Sequence, residues 1–256
     1  MHIKVRKTTI GKGIPKICVP ITAGNKVDII VTAQEIMQRR LEIDLVEWRV
    51  DFFADNSDFV KVIAVAKRLR EILVDVPLLF TYRTENEGGA ALQEFMDSQY
   101  FSLCELAIES GYIDLIDVEL YMVDSQVEQQ DIIGLAKQHN VALLISNHDF
   151  IATPKRAEII NRLCKMQELG ADICKIAVMP RSRKDVLTLL NATETMYSEY
   201  ATVPIVTISM GALGMISRLA GEVFGSAITF GAVENISAPG QLPVEALAKI
   251  LPLLHN

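Results

Sequence analysis

The stretch ADICKIAVM, Ala171 to Met179, decides the fold. It has strand length, is almost wholly apolar, and carries a lysine at its centre. Side chains alternate faces along a strand, so Ala171, Ile173, Lys175, Ala177 and Met179 share one side. Asp172, Cys174, Ile176 and Val178 share the other. A run apolar on both sides reads as a strand covered on both faces, the habit of parallel α/β sheets. A lysine inside it is costly, because a desolvated ammonium must be paired or give up its proton. Such a lysine is a candidate nucleophile towards a carbonyl, forming a Schiff base. The plainer alternative is an ammonium that reaches a sheet edge or pairs with a carboxylate.

Outward from this stretch the chain keeps one rhythm. Apolar strand candidates begin near Lys16, Leu45, Pro77, Ile113, Val141, Ala171, Pro204 and Ala227. Helical periodicity fills the intervals: 28–40, 58–73, 94–109, 126–138, 154–169, 182–197, 213–224 and 244–254. Pro154 suits a first helical turn and Gly170 a C-terminal stop. A hairpin is expected ahead of this pattern, from His2 to Val5 with a turn around Gly11 and Gly13. With 256 residues and no composition break, the chain is expected to be a single α/β domain. Its fold would be a (β/α)8 TIM barrel whose N-terminal hairpin closes the bottom. No GxGxxG or GxxxxGK[ST] turn follows a strand, which argues against an open dinucleotide or nucleotide fold.

Composition narrows the function. Half the residues are hydrophobic and the formal charge is −7, with both signs intermixed, which argues against a nucleic-acid surface. Cys18, Cys104, Cys164 and Cys174 show no CxxC pair or metal-ligand spacing and read as reduced thiols of a cytoplasmic protein. The N-terminus lacks the apolar core of a secretory signal, and no apolar run is long enough to span a membrane.

In a barrel, chemistry belongs at the C-terminal ends of the strands. The polar residues fall there: Glu47, Arg49 and Asp51; Arg83 with Glu85 and Glu87 just beyond; Asp117 and Glu119; Ser146, Asn147, His148 and Asp149; Lys175. Singly each has a structural explanation: Glu47 with Arg49 could be an ion pair, His148 a satisfied core histidine. Carboxylate, arginine, histidine and lysine together on one rim point to catalysis.

The strings EWRVDFF (47–53), TYRTENEGG (81–89), SNHDF (146–150), CKIAVMP (174–180), SMGALGMISR (209–218), FGSAITFG (224–231) and SAPGQLP (237–243) occur in order. In them the chain resembles the type I 3-dehydroquinate dehydratases, the Schiff-base class of that enzyme, nearly end to end. The resemblance implies a hydro-lyase converting 3-dehydroquinate to 3-dehydroshikimate in the shikimate pathway, with no cofactor or metal and as a homodimer. It implies Lys175 as the Schiff-base lysine, His148 as general acid/base and Glu87 as the carboxylate that orients it. Arg218 would grip the substrate carboxylate, while Glu47, Arg49 and Arg83 would meet ring hydroxyls and the wall. Met210 and Phe230 would lie beneath the ring, and Ser237 and Gln241 in a loop that closes over it. Pro20 stands where some relatives place a small polar residue. Two other readings remain at this point: a class I aldolase or transaldolase, and a non-catalytic barrel that binds a small acid. Against the first, SAPGQLP offers no glycine-rich phosphate cradle. Against the second, the lysine, histidine and glutamate are all intact.

Overall fold

The computed structural model describes residues 1–38, 42–91, 95–124, 132–233 and 238–255. A hairpin of β1 (Ile3–Val5) and β2 (Thr8–Ile10) precedes a curled parallel sheet. Its strands are β3 (Lys16–Ile21), β4 (Leu45–Arg49), β5 (Leu78–Thr81), β6 (Leu115–Glu119), β7 (Ala142–Asp149), β8 (Ile173–Val178), β9 (Ile205–Ser209) and β10 (Ile228–Ala232). Each pairs in parallel with the next from β3 to β9, and β10 pairs with β3. The seam between β9 and β10 closes through Ala227 N–H donating to Ile205 O at 2.8 Å. There Thr207 N–H donates to the Ser226 hydroxyl at 3.0 Å, a side chain replacing a backbone acceptor. The two-residue β11 (Leu242–Pro243) lies parallel beside β10. The result is the expected (β/α)8 barrel.

The helices are α1 (Lys26–Gln38), α2 (Phe59–Leu73), α3 (Asp97–Glu109), α4 (Leu120–Asp124), α5 (Ile132–Gln138), α6 (Arg156–Glu168), α7 (Arg183–Thr195), α8 (Met215–Leu219), α9 (Gly221–Phe224) and α10 (Val244–Leu254). Two apolar layers follow from strand alternation. Cys174, Ile176 and Val178 belong to the layer between sheet and helices. Ile173 and Ala177 belong to the barrel interior, with Leu45, Leu79, Leu115, Leu144, Val206 and Ile228. Val5 and Ile10 join that interior layer, so the hairpin plugs the barrel at the N-terminal ends of its strands. Above this plug the inward-facing positions turn polar, and there the site lies.

Several local expectations are corrected. The hairpin turns at Arg6-Lys7, because Val5 pairs with Thr8, and Arg6 takes the positive φ of 51°. Gly11 and Gly13 instead bend the chain from β2 towards β3. The helix expected from Pro154 begins at Arg156 with Lys155 as its cap, so the proline precedes it. Gly170, with φ of 93°, does end it. The single helix expected over 213–224 is α8 and α9, broken at Ala220. Ser217 pins α8 to the barrel by accepting from Ser209 N at 2.9 Å and donating to Gly214 O at 2.7 Å. The chain then turns back, and Ser226 N–H donates to Gly221 O at 2.7 Å. Of the helix expected over 126–138, residues 126–131 lie outside the described residues. All four cysteines are free, and Cys18, Cys104 and Cys174 are buried. Among the described residues no helix is long and apolar enough to cross a membrane.

Candidate active site

At the C-terminal mouth of the barrel is a cavity. Glu47, Arg49, Arg83, Glu87, His148, Lys175, Met210, Arg218, Phe230 and Gln241 all line it. Every site residue expected from the sequence is thus brought together except Ser237, which lies outside the described residues. Gly88, Phe150, Ala177, Ile208 and Ala238 complete the wall.

Lys175 is at the centre of β8, on its inward face as alternation requires, and is buried. Its Nζ donates to Asp117 Oδ2 at 3.2 Å and lies 4.7 Å from the centroid of the Phe230 ring. The ammonium therefore has both a carboxylate and an aromatic face. Asp117, on β6, is fully enclosed. It accepts from Arg83 Nη2 at 2.7 Å and from the Ser146 hydroxyl at 2.6 Å. Burial alone would raise its carboxyl; Arg83, Lys175 and the Ser146 hydrogen bond outweigh that and hold it below the ordinary range.

Arg83 is expected from the resemblance as a wall contact, and its geometry gives it a larger structural share. Nη1 donates to Glu119 Oε1 at 3.1 Å and to Ser146 Oγ at 2.9 Å, and lies 3.6 Å from Glu87 Oε2. Burial works against its charge, yet the surrounding Asp117, Glu119 and Glu87 keep its pKa above the usual arginine value. One guanidinium thus ties the ends of β5, β6 and β7 together. Glu119 completes the knot by accepting from Thr84 N at 2.8 Å and Thr84 Oγ1 at 2.7 Å.

Glu87 sits in a 3-10 turn after β5 (Glu85–Glu87) that ends on Gly88. Gly88 has a φ of 82°, and a Cβ there would strike the Phe150 ring, so this turn needs glycine. The Glu87 carboxylate accepts from Asn147 Nδ2 at 2.9 Å and from His148 N at 2.9 Å, and its Oε2 lies 2.8 Å from His148 Nδ1. Burial pushes this carboxyl up to about 8, Glu119 and Asp117 adding to the effect and Arg83 and Asn147 opposing it. Burial, with Arg83, Lys175 and Arg49 near, pulls the His148 imidazole well below its ordinary value. A neutral imidazole at physiological pH is a competent base.

Glu47 and Arg49 do not form the ion pair considered from the sequence. Arg49 forks onto Asp51, Nε to Oδ1 at 2.8 Å and Nη2 to Oδ2 at 2.7 Å, and Glu47 accepts from Thr81 Oγ1 at 3.0 Å. Asp51 lies in the turn that follows β4, which swings its carboxylate back onto Arg49. Pro20 pairs with Glu47 in the β3–β4 register and is itself buried, presenting no polar side chain to it.

Arg218 contrasts with the other cations. It is 2% exposed, donates Nη2 to Pro239 O at 3.0 Å, and among the described residues leaves Nε and Nη1 without a partner. Its burial without a counter-charge lowers its pKa to about 10. A buried fork with such donors beside a cavity can receive an anion, best a planar carboxylate. Asp117, Asp51 and Asn147, placed on the rim by the sequence but given no individual part there, bond directly to Lys175, Arg49 and Glu87. The alternation of IDLIDVEL and the positions adjoining Arg49 and His148 were the available signals.

The profile of the type I 3-dehydroquinases matches residues 17–256. The 3-dehydroquinate dehydratase of Clostridioides difficile is 49% identical over 255 residues, 99% of this chain and 97% of that protein. That of Salmonella paratyphi B is 49% identical over 254 residues, 99% of this chain and 98% of that one. A crystal structure of the type I enzyme from Clostridium difficile, with covalently modified comenic acid, superposes with a TM-score of 0.91 at 47% identity, covering 99% and 98% of the two chains. Matched along nearly its whole length, the chain belongs to the type I 3-dehydroquinase family of 3-dehydroquinate dehydratases.

Proposed function

We propose that this chain dehydrates 3-dehydroquinate to 3-dehydroshikimate in the shikimate pathway through a Schiff base on Lys175. The observation that carries the reading is the cavity floor. A buried lysine lies with a neutral-leaning histidine–glutamate pair and an arginine whose donors await an anion. Arg218 receives the substrate carboxylate and so fixes the ring. Glu47 and Arg49 meet its hydroxyls, Arg83 closes the wall, Met210 and Phe230 support its apolar underside, and Gln241 covers it.

The Lys175 nitrogen adds to the C3 carbonyl. The carbonyl oxygen leaves as water with two ammonium protons, His148 ferrying them, and an iminium carrying one positive charge remains. The iminium draws electrons from the C2–H bond, so His148 Nε2 can remove that proton and leave an enamine. The enamine pair then expels the C1 oxygen, which takes the proton held by His148 and departs as water. Hydrolysis of the product iminium consumes one water and restores Lys175, so the net change is loss of one water. Glu87 keeps Nδ1 of His148 engaged throughout and thereby aims Nε2. Asp117 stabilises the cationic nitrogen before and after condensation. No step calls for a metal ion or an organic cofactor.

Residues 1–256 act as one catalytic domain in this reading, assembled as a homodimer in the cytoplasm and binding neither nucleic acid nor membrane. The test is direct: with 3-dehydroquinate, the conjugated-enone absorbance of the product should rise, at a rate unchanged after dialysis against EDTA. Absence of enone with folded protein, or turnover restored only by added metal, would contradict the reading.

A further inference from the structure

Asn147 lies on β7 between two inward-facing residues, so its side chain turns towards the helices. It is buried, and its amide is used at both edges. Arg162 of α6 donates Nη1 to Asn147 Oδ1 at 2.9 Å, while Asn147 Nδ2 donates to Glu87 Oε1 at 2.9 Å. Arg162 is held in turn by Glu158, Nε to Oε1 at 2.8 Å, and its guanidinium lies 5.9 Å from the centroid of the Tyr121 ring.

We propose that Arg162, outside the barrel, is a positioning residue for the reaction: through Asn147 it keeps a hydrogen-bond donor on the carboxylate that orients His148. A guanidinium only donates, so it can meet the amide only at Oδ1. The planar amide must then present its NH2 edge to Glu87. Without Arg162 the amide can flip, and Oδ1 then faces a carboxylate oxygen. Two acceptors at that separation are compatible only when the carboxyl carries a proton. Removing Arg162 therefore increases the proton affinity of the Glu87–His148 pair, and loss of its positive charge acts in the same direction. The other charged groups around the pair are Arg83 after β5, Asp117 and Glu119 on β6, Lys175 on β8 and Arg49 on β4. Arg162 contacts Glu158, Asn147 and Tyr121 and, among the described residues, none of these charged groups, so the change isolates its contribution.

The inference rests on the reading of His148 and Glu87 as the proton-moving pair, and the experiment separates the two. Arg162→Met keeps the stem and loses the donors; Arg162→Gln is a second variant, polar but too short to reach Asn147. The ring-nitrogen NMR signals of His148, distinguished from those of His2, His139 and His255, are followed against pH in the ligand-free protein. In either folded variant the midpoint should rise by about one pH unit, a tenfold gain in proton affinity. The acid limb of kcat/KM should move up equally, with the rate at alkaline pH within about twofold of wild type. Asn147→Leu should give the same shift, and the double variant no more. An unchanged midpoint in a folded Arg162 variant, or a rate lowered equally at every pH, would overturn the inference. If His148→Ala and Glu87→Gln keep full activity, the reading of the pair fails instead.

Discussion

Arg83 is the residue that makes the acidic mouth of this barrel tolerable. Asp117, Glu119 and Glu87 would repel one another in so dry a space, and a single guanidinium bonded to the first two and beside the third offsets that repulsion. In the proposed mechanism His148 and Glu87 divide the work unevenly: the imidazole moves protons in several steps, while the carboxylate acts through it. His148→Ala should lose roughly 10²-fold or more in kcat, the usual scale of general acid–base catalysis. It should also leave the covalent imine stranded. Glu87→Gln should lose less, and the two losses should not multiply in the double variant. Rates for both singles and the double, with mass spectra taken in the presence of substrate, check this. A larger loss from Glu87→Gln would give that carboxyl a proton-transfer role of its own. Lys175, His148, Glu87 and Arg218 were legible in the sequence because each lies within a specific motif. The partners of Lys175 and Glu87 were not, because Asp117 and Asn147 reach them only across the closed sheet.

At the scale of elements, the segment after β5 that carries Glu87 is held from two sides. Glu119 binds its start at Thr84, and Asp51 binds its end, accepting from Ala90 N at 3.0 Å. Asp51 therefore ties the Arg49 side chain and the Glu87 segment into one unit. Asp51→Asn removes the charge from the buried fork and replaces one acceptor with a donor facing Arg49. The variant should fold, with kcat/KM lowered about tenfold, the loss of a charge-assisted contact. Steady-state kinetics measures this, and wild-type kinetics would remove Asp51 from the role. Periodicity found the long elements well, since α2 and α10 run as the pattern indicates. It failed where local contacts decide. The glycines after β2 drew the hairpin turn away from Arg6-Lys7, and Ser217 with Gly221 split one expected helix into α8 and α9.

At the scale of the whole molecule, the barrel separates stability below from chemistry above. Asp114, just before β6, is the fastening point beneath. It accepts from Arg6 Nε at 2.5 Å, from Arg70, and from Leu78 N at 2.8 Å. Asp114→Ala should destabilise the fold by about 2 kcal/mol, since a part-buried backbone N–H and two guanidinium contacts lose their acceptor. It should lower Tm by several degrees and leave kcat near wild type, as calorimetry and the enone assay would show. Equal loss of stability and rate would mean that the plug and the site are coupled. The barrel itself was legible because its strands alternate with helices and one of them, β8, is apolar on both faces around a single lysine. Covalent chemistry at that lysine is what borohydride trapping with intact-protein and peptide mass spectrometry reads out. Reduction in the presence of 3-dehydroquinate should add one ligand-sized mass per chain, located on the peptide containing Lys175, and Lys175→Ala should gain no mass and lose turnover. An adduct on another lysine, or full activity in Lys175→Ala, would contradict the account.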